Sequence, residues 1–174
     1  MNQNTWSNIM KRLMMTLFVL VFTVGMAYSQ SNVTTVTQQS NNNETTVDQL
    51  GESNESSVTQ LTNKNDAVVG QEGKENTATV HQSGGDKNNA VINQFSEAAE
   101  DGVIESTINQ LGAKNEAIVN ASRRNYRSAV TMQDQTGDNN QAYINHGAGL
   151  GGNLGATMTQ IQEGNNNYAN MRGH

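Results

Sequence analysis

The sequence predicts an all-β fold: an amyloid-forming β-solenoid, β-helix-like, of about six strand-turn-strand repeats of about 22 residues each. Three observations predict it. The 174 residues include 26 Asn and 15 Gln but no Pro and no Cys. A Val-x-Gln motif returns every eleven residues. Within each unit, the recurring residues lie two apart. Amide-rich chains of this kind are either disordered prion-like tracts or repetitive β structures with amide ladders, and a fixed period selects the ladder.

The first element is an address rather than part of the fold. Lys11 and Arg12 precede an apolar run from Leu13 to Val24, broken only by Thr16 and Thr23, and Ala27-Tyr28-Ser29 follows with small residues where a signal peptidase reads them. A run of about 12 apolar residues falls short of the roughly 20 that span a membrane. The expectation is a cleaved signal peptide over 1–29 and a mature repeat domain over 30–174, with no membrane insertion after cleavage. Removing Lys11 and Arg12 from 10 Lys+Arg leaves 8 against 16 Asp+Glu, a net charge of −8. That charge excludes nucleic acid as a partner, because little here would neutralise phosphates. Without Cys there is no disulfide, thiolate metal site or catalytic thiol. Three scattered His give no basis for a metal or acid/base centre, so neither cofactor nor catalysis is expected.

The repeat begins at Val36/Gln38 and continues as Val47/Gln49, Val58/Gln60, Val69/Gln71 and Val80/Gln82. Ile92/Gln94 follows after one extra residue and Ile108/Gln110 after a longer insertion. Asn43, Asn54, Asn65 and Asn76 recur five residues after each Gln, with a small residue two further on (Thr45, Ser56, Ala67, Ala78). Steps of two put Asn, the small residue, Val and Gln on one face of an extended strand. The Gly or small polar residue after each Gln supplies turn chemistry.

Doubling the period brings out a second regularity. The turns after Gln38, Gln60, Gln82, Gln110, Gln135 and Gln162 all end in Asn, whereas the alternate connections decay into irregular insertions near 95–103, 121–127 and 146–153. One rung of a solenoid is thus two strands, with equivalent strands stacked at roughly 4.8 Å. The expected Gln ladder is Gln38, Gln49, Gln60, Gln71, Gln82, Gln94, Gln110, Gln135, Gln160 and Gln162. The expected Asn ladder is Asn43, Asn54, Asn65, Asn76, Asn88, Asn115, Asn140 and Asn167. The apolar core is expected at Val36, Val47, Val58, Val69, Val80, Ile92, Ile108, Val119, Ile144, Met158 and Met171. Turn glycines are Gly51, Gly73, Gly84, Gly112, Gly137 and Gly164. In the fifth repeat either Ser128/Val130/Met132 or Ala129/Thr131/Gln133/Gln135 could face inward; the second keeps Gln135 beside its turn.

The unit resembles the curlin repeat of bacterial curli, S-x5-Q-x-G-x-x-N-x-A-x3-Q. The pattern from its first Gln onward stands intact from Gln71 to Gln82 (QEGKENTATVHQ), with near-matches from Gln49 (QLGESNESSVTQ) and Gln110 (QLGAKNEAIVNA). The segments from Gln135 and Gln162 match through the turn and the small residue. The resemblance implies a secreted, extracellular fibre subunit at the cell surface, pilus- or fimbrium-like, serving adhesion and biofilm matrix. It implies partners in further copies of the chain and a homologous curli subunit, with export through a curli-type outer-membrane pore. A minor subunit that nucleates such fibres is an alternative within the same reading. An ice-binding solenoid is the rival from another class, and needs a flat outward rank of Thr-x-Thr. Taken strand after strand, the outward pairs Thr46/Asp48, Ser57/Thr59, Val68/Gly70, Thr79/His81 and Val91/Asn93 form no such rank.

Overall fold

In a computed structural model, the described residues are 31–96, 103–123, 128–147 and 156–173. The 1–29 address, and most of each irregular connection, lie outside them. Among the described residues, twelve strands follow one another in six pairs. They are β1 (Val33–Gln38) and β2 (Glu44–Glu52), β3 (Glu55–Gln60) and β4 (Asp66–Lys74), β5 (Thr77–Gly84) and β6 (Asn89–Ser96). Then come β7 (Ile104–Gly112) and β8 (Glu116–Arg123), β9 (Ala129–Thr136) and β10 (Gln141–His146), β11 (Ala156–Glu163) and β12 (Tyr168–Gly173). The strands run further into the irregular stretches than the repeat pattern suggests: Phe95 and Ser96 end β6, and Ala121 to Arg123 end β8.

The odd-numbered strands form one six-stranded sheet (sheet A) and the even-numbered strands another (sheet B), each in sequence order. Every strand pairs in parallel with the strand two further along the chain. The chain is therefore an all-β solenoid in which one strand of each sheet makes a rung. Alternation is strict: β4 reads exposed-buried-intermediate-buried along its length, which is the period-two signature of a strand with one face in the core.

Register turns that alternation into columns. Val36, Val58, Val80 and Ile108 stack in sheet A. Val47, Val69, Ile92, Val119, Ile144 and Met171 stack in sheet B. The middle members are fully buried, and Val36, Val47 and Met171 of the end rungs are partly buried against them. Beside them in sheet B runs a column of small residues, Ala67, Ala90, Ala117 and Ala142, all buried. Small residues there let the two sheets approach closely enough for the Val and Gln columns to fill the interior. The fifth repeat takes the glutamine register: Ala129, Thr131, Gln133 and Gln135 are buried.

Two assignments change. Gln160 does not join the Gln column. It lies in register with Gln133 and, one rung further back, Ile108, because a residue two before the column glutamine occupies the Val position. Met158 likewise leaves the Val column and stacks on Thr131 and Ser106, in the small-residue column of sheet A. Outward pairs also separate by sheet. On sheet A, Thr35/Thr37 and Ser57/Thr59 are followed by Thr79/His81 and Thr107/Asn109. A two-hydroxyl rank thus ends after the second rung, too short a face for a threonine lattice.

Candidate functional site

The chemistry of this molecule is concentrated in its buried amides. In sheet A, Gln38 Nε2 donates to Gln60 Oε1 at 2.7 Å, Gln60 to Gln82 at 2.9 Å, and Gln82 to Gln110 at 2.9 Å. Gln110 donates to Gln135 at 3.0 Å and Gln135 to Gln162 at 2.9 Å. All five bonds point the same way, each glutamine donating to the rung nearer the C-terminus. The second N–H of each buried glutamine crosses to a backbone carbonyl at the start of a sheet B strand: Gln60 to Glu44, Gln82 to Asp66, Gln110 to Asn89. One side chain thus ties two rungs and two sheets.

Sheet B carries a shorter column. Gln49 Nε2 donates to Gln71 Oε1 at 2.7 Å and Gln71 to Gln94 at 2.8 Å, and there the amides stop. The positions that follow in register are Ala121, His146 and Gly173. Gln94 turns instead to Thr77 O, Ser106 Oγ and Ile104 O. Burial pushes the His146 imidazole below its ordinary pKa, and its Nδ1 has no hydrogen-bond partner among the described residues.

The asparagines form two columns on opposite corners, not one. At the first corner the backbone N–H of Asn65 donates to Asn43 Oδ1 at 3.0 Å, and the step repeats through Asn88, Asn115, Asn140 and Asn167. The residue before each of these is in the left-handed region: Asn42, Lys64, Lys87, Lys114, Asn139 and Asn166. That explains the N-N-N and N-K-N turns, since Asn tolerates this conformation and Lys is held in it by axial backbone bonds such as Lys114 N–H to Asp86 O at 3.0 Å. The second corner stacks Asn54 on Asn32 and Asn76 on Asn54. Ile104 and Ala129 are buried in the rungs that follow, and Asn76 Oδ1 is left unpartnered at that break.

The glycines answer a packing demand as well as a turn. Gly51 and Gly73 serve one corner and Gly84, Gly112, Gly137 and Gly164 the other, all at positive φ. A Cβ on Gly112 would collide with the Gly137 carbonyl oxygen in the rung above. Ser96 follows Gly73 and its hydroxyl accepts from Lys74 N–H at 2.9 Å, so a small polar residue replaces glycine there. Above it in register lies Arg123, buried at 4% exposure, whose pKa burial lowers while Glu75 opposes the shift.

Repeat periodicity reveals Gln38, Gln49, Gln60, Gln71, Gln82, Gln94, Gln110, Gln135 and Gln162, and alternation back from Gln135 offers Gln133 as inward; neither reveals Asn32 or Ser96. Asn32 could have been found as the residue 22 before Asn54. Ser96 carries no such signal, because it stands where the repeat has drifted.

These features define a class: a parallel β-solenoid whose rungs are held by axial amide columns. The family model of the curlin associated repeat matches the chain three times, over residues 30–61, 40–73 and 62–95. Residues 30–95 are thus similar to curlin associated repeats. Those matches cover the rungs that carry both Gln columns and both Asn columns, and end where the sheet B amides end. No curated protein and no solved structure matches the chain.

Proposed function

We propose that this chain is a structural, non-enzymatic subunit of curli-like extracellular amyloid fibres, exported behind a cleaved signal peptide over 1–29. It polymerises by end-to-end stacking of its rungs and serves adhesion and biofilm matrix at the cell surface. The observation that carries the reading is that both sheets end open. Among the described residues, strands β1 and β2 are hydrogen-bonded on one side only, as are β11 and β12. An open parallel edge is a template for another strand. No Pro blunts these edges. The sheet A Gln column and the first-corner Asn column run to both of these ends, so a further rung supplies their missing partners. Each such bond contributes about 0.5–1.5 kcal/mol net, whereas a buried amide left unpaired costs about 1–3 kcal/mol. Its partners are further copies, a homologous curli subunit during initiation, and a curli-type outer-membrane pore during export.

Fibre diffraction from assembled, aligned chain tests the reading. A meridional reflection near 4.7–4.8 Å is expected, from rungs stacked along the fibre axis. A chain that stays monomeric at high concentration, or fibres without that reflection, would overturn it.

A further inference from the structure

One outward column of sheet B changes charge from end to end. Asp48, Gly70, Asn93, Asn120, Asn145 and Arg172 follow in register, one per rung. Asp48 stands in the first rung and Arg172 in the last, and both are exposed. Side chains one rung apart on this face meet: Asn93 Nδ2 donates to Asn120 Oδ1 at 2.9 Å, and Lys74 Nζ pairs with Glu52 at 2.8 Å at the edge of the same sheet.

The buried columns share this polarity. In the sheet A Gln column each Nε2 from Gln38 to Gln135 donates toward the C-terminal rung, which leaves Gln162 with its cross-sheet bond to Gln141 O but no axial acceptor among the described residues. At the other end, Gln38 Oε1 has no axial donor among the described residues. In the corner column each Oδ1 accepts from the rung that follows, which leaves Asn167 Oδ1 at the last rung and the Asn43 N–H at the first. Donor meets acceptor only when the last rung of one copy lies on the first rung of another.

We infer that copies of this chain join head to tail, β11 on β1 and β12 on β2, with Arg172 of one copy closing an ion pair on Asp48 of the next. The inference rests on the self-assembly reading and adds to it a polarity and a charged clasp. Joining first rung to first rung would make the strands at the joint antiparallel, and the parallel register that aligns the columns would be lost.

The clasp is tested by charge reversal in the purified full chain, following elongation from preformed seeds at low salt. Arg172→Asp and Asp48→Arg each place like charges at every head-to-tail joint, and each is expected to elongate about fivefold more slowly than wild type, the scale of one exposed pair. An equimolar mixture of the two variants is expected to recover the wild-type rate, because each variant's first rung then meets the opposite charge on the other's last rung. In about 1 M salt, where the Debye length is about 3 Å, the differences should vanish. Single variants as fast as wild type at low salt, or a mixture no faster than its components, would overturn the head-to-tail clasp while leaving self-assembly standing. A wild-type chain that forms no fibre would sink both.

Discussion

Gln82 and Gln160 are both buried, yet they lead opposite lives. Gln82 accepts from Gln60, donates to Gln110 and donates again to Asp66 O, so all its bonding capacity but one lone pair is used. Gln160 sits in the apolar column and has no partner for either its Oε1 or its Nε2 among the described residues. A buried amide without partners costs about 1–3 kcal/mol, so the column around a glutamine decides whether it stabilises or destabilises. Replacing Gln160 by Ile, which extends the column of Ile108, should raise the unfolding free energy by about 1–3 kcal/mol. Urea unfolding of wild type and Gln160→Ile measures this, and a lower midpoint in the variant would mean that the amide is satisfied. The outward face carries smaller effects: the Asp66 carboxyl is raised by burial and by Glu44 beside it in the stack, a repulsion that screening by solvent keeps modest.

At the scale of elements, the corners limit the fold as much as the strands do. Gly112 has φ of +121°, and a Cβ there meets the next rung's backbone, which cannot move without breaking the ladder. Gly164 has a similar φ of +95° but belongs to the last rung, where a Cβ has only Asn167 Nδ2 within reach, at 3.7 Å. Gly112→Ala should therefore destabilise the monomer by well over the roughly 1 kcal/mol of a strained φ, and Gly164→Ala by about that strain alone. In the fibre the order changes, since the Gly164 corner then receives a further rung. Thermal unfolding of monomer compared with elongation rate separates the two, and equal monomer losses for both variants would contradict the packing explanation. The fixed corner was legible in the sequence because its Asn recurs at every rung. The other corner was legible only through Asn76, since beyond it Ile104, Ser96 and Arg123 take over positions that no period marks.

At the scale of the molecule, the first three rungs are the regular half. They hold the family matches, both Gln columns and both Asn columns, while the last three keep the sheet A Gln column and the first-corner Asn column. Replacing Gln49, Gln60, Gln71 and Gln82 together by Ala removes the axial amide bonds from that half and should lengthen the lag and slow elongation at least tenfold. Dye-binding kinetics follow this directly, and unchanged kinetics would remove the amide ladder from the assembly mechanism.

Sequence alone determined the rung: residues two apart share a strand face, and a 22-residue return brings like onto like, so period and composition suffice to name the stack and most of its columns. Tertiary structure decided what a period cannot carry. Whether Gln160 sits in a polar or an apolar column and which way the amides point both depend on register between strands 22 or more residues apart. The reason is that a column belongs to several strands at once. Each residue's neighbours along the axis are set by backbone hydrogen bonds between rungs, and the insertions between them change the count without changing the register.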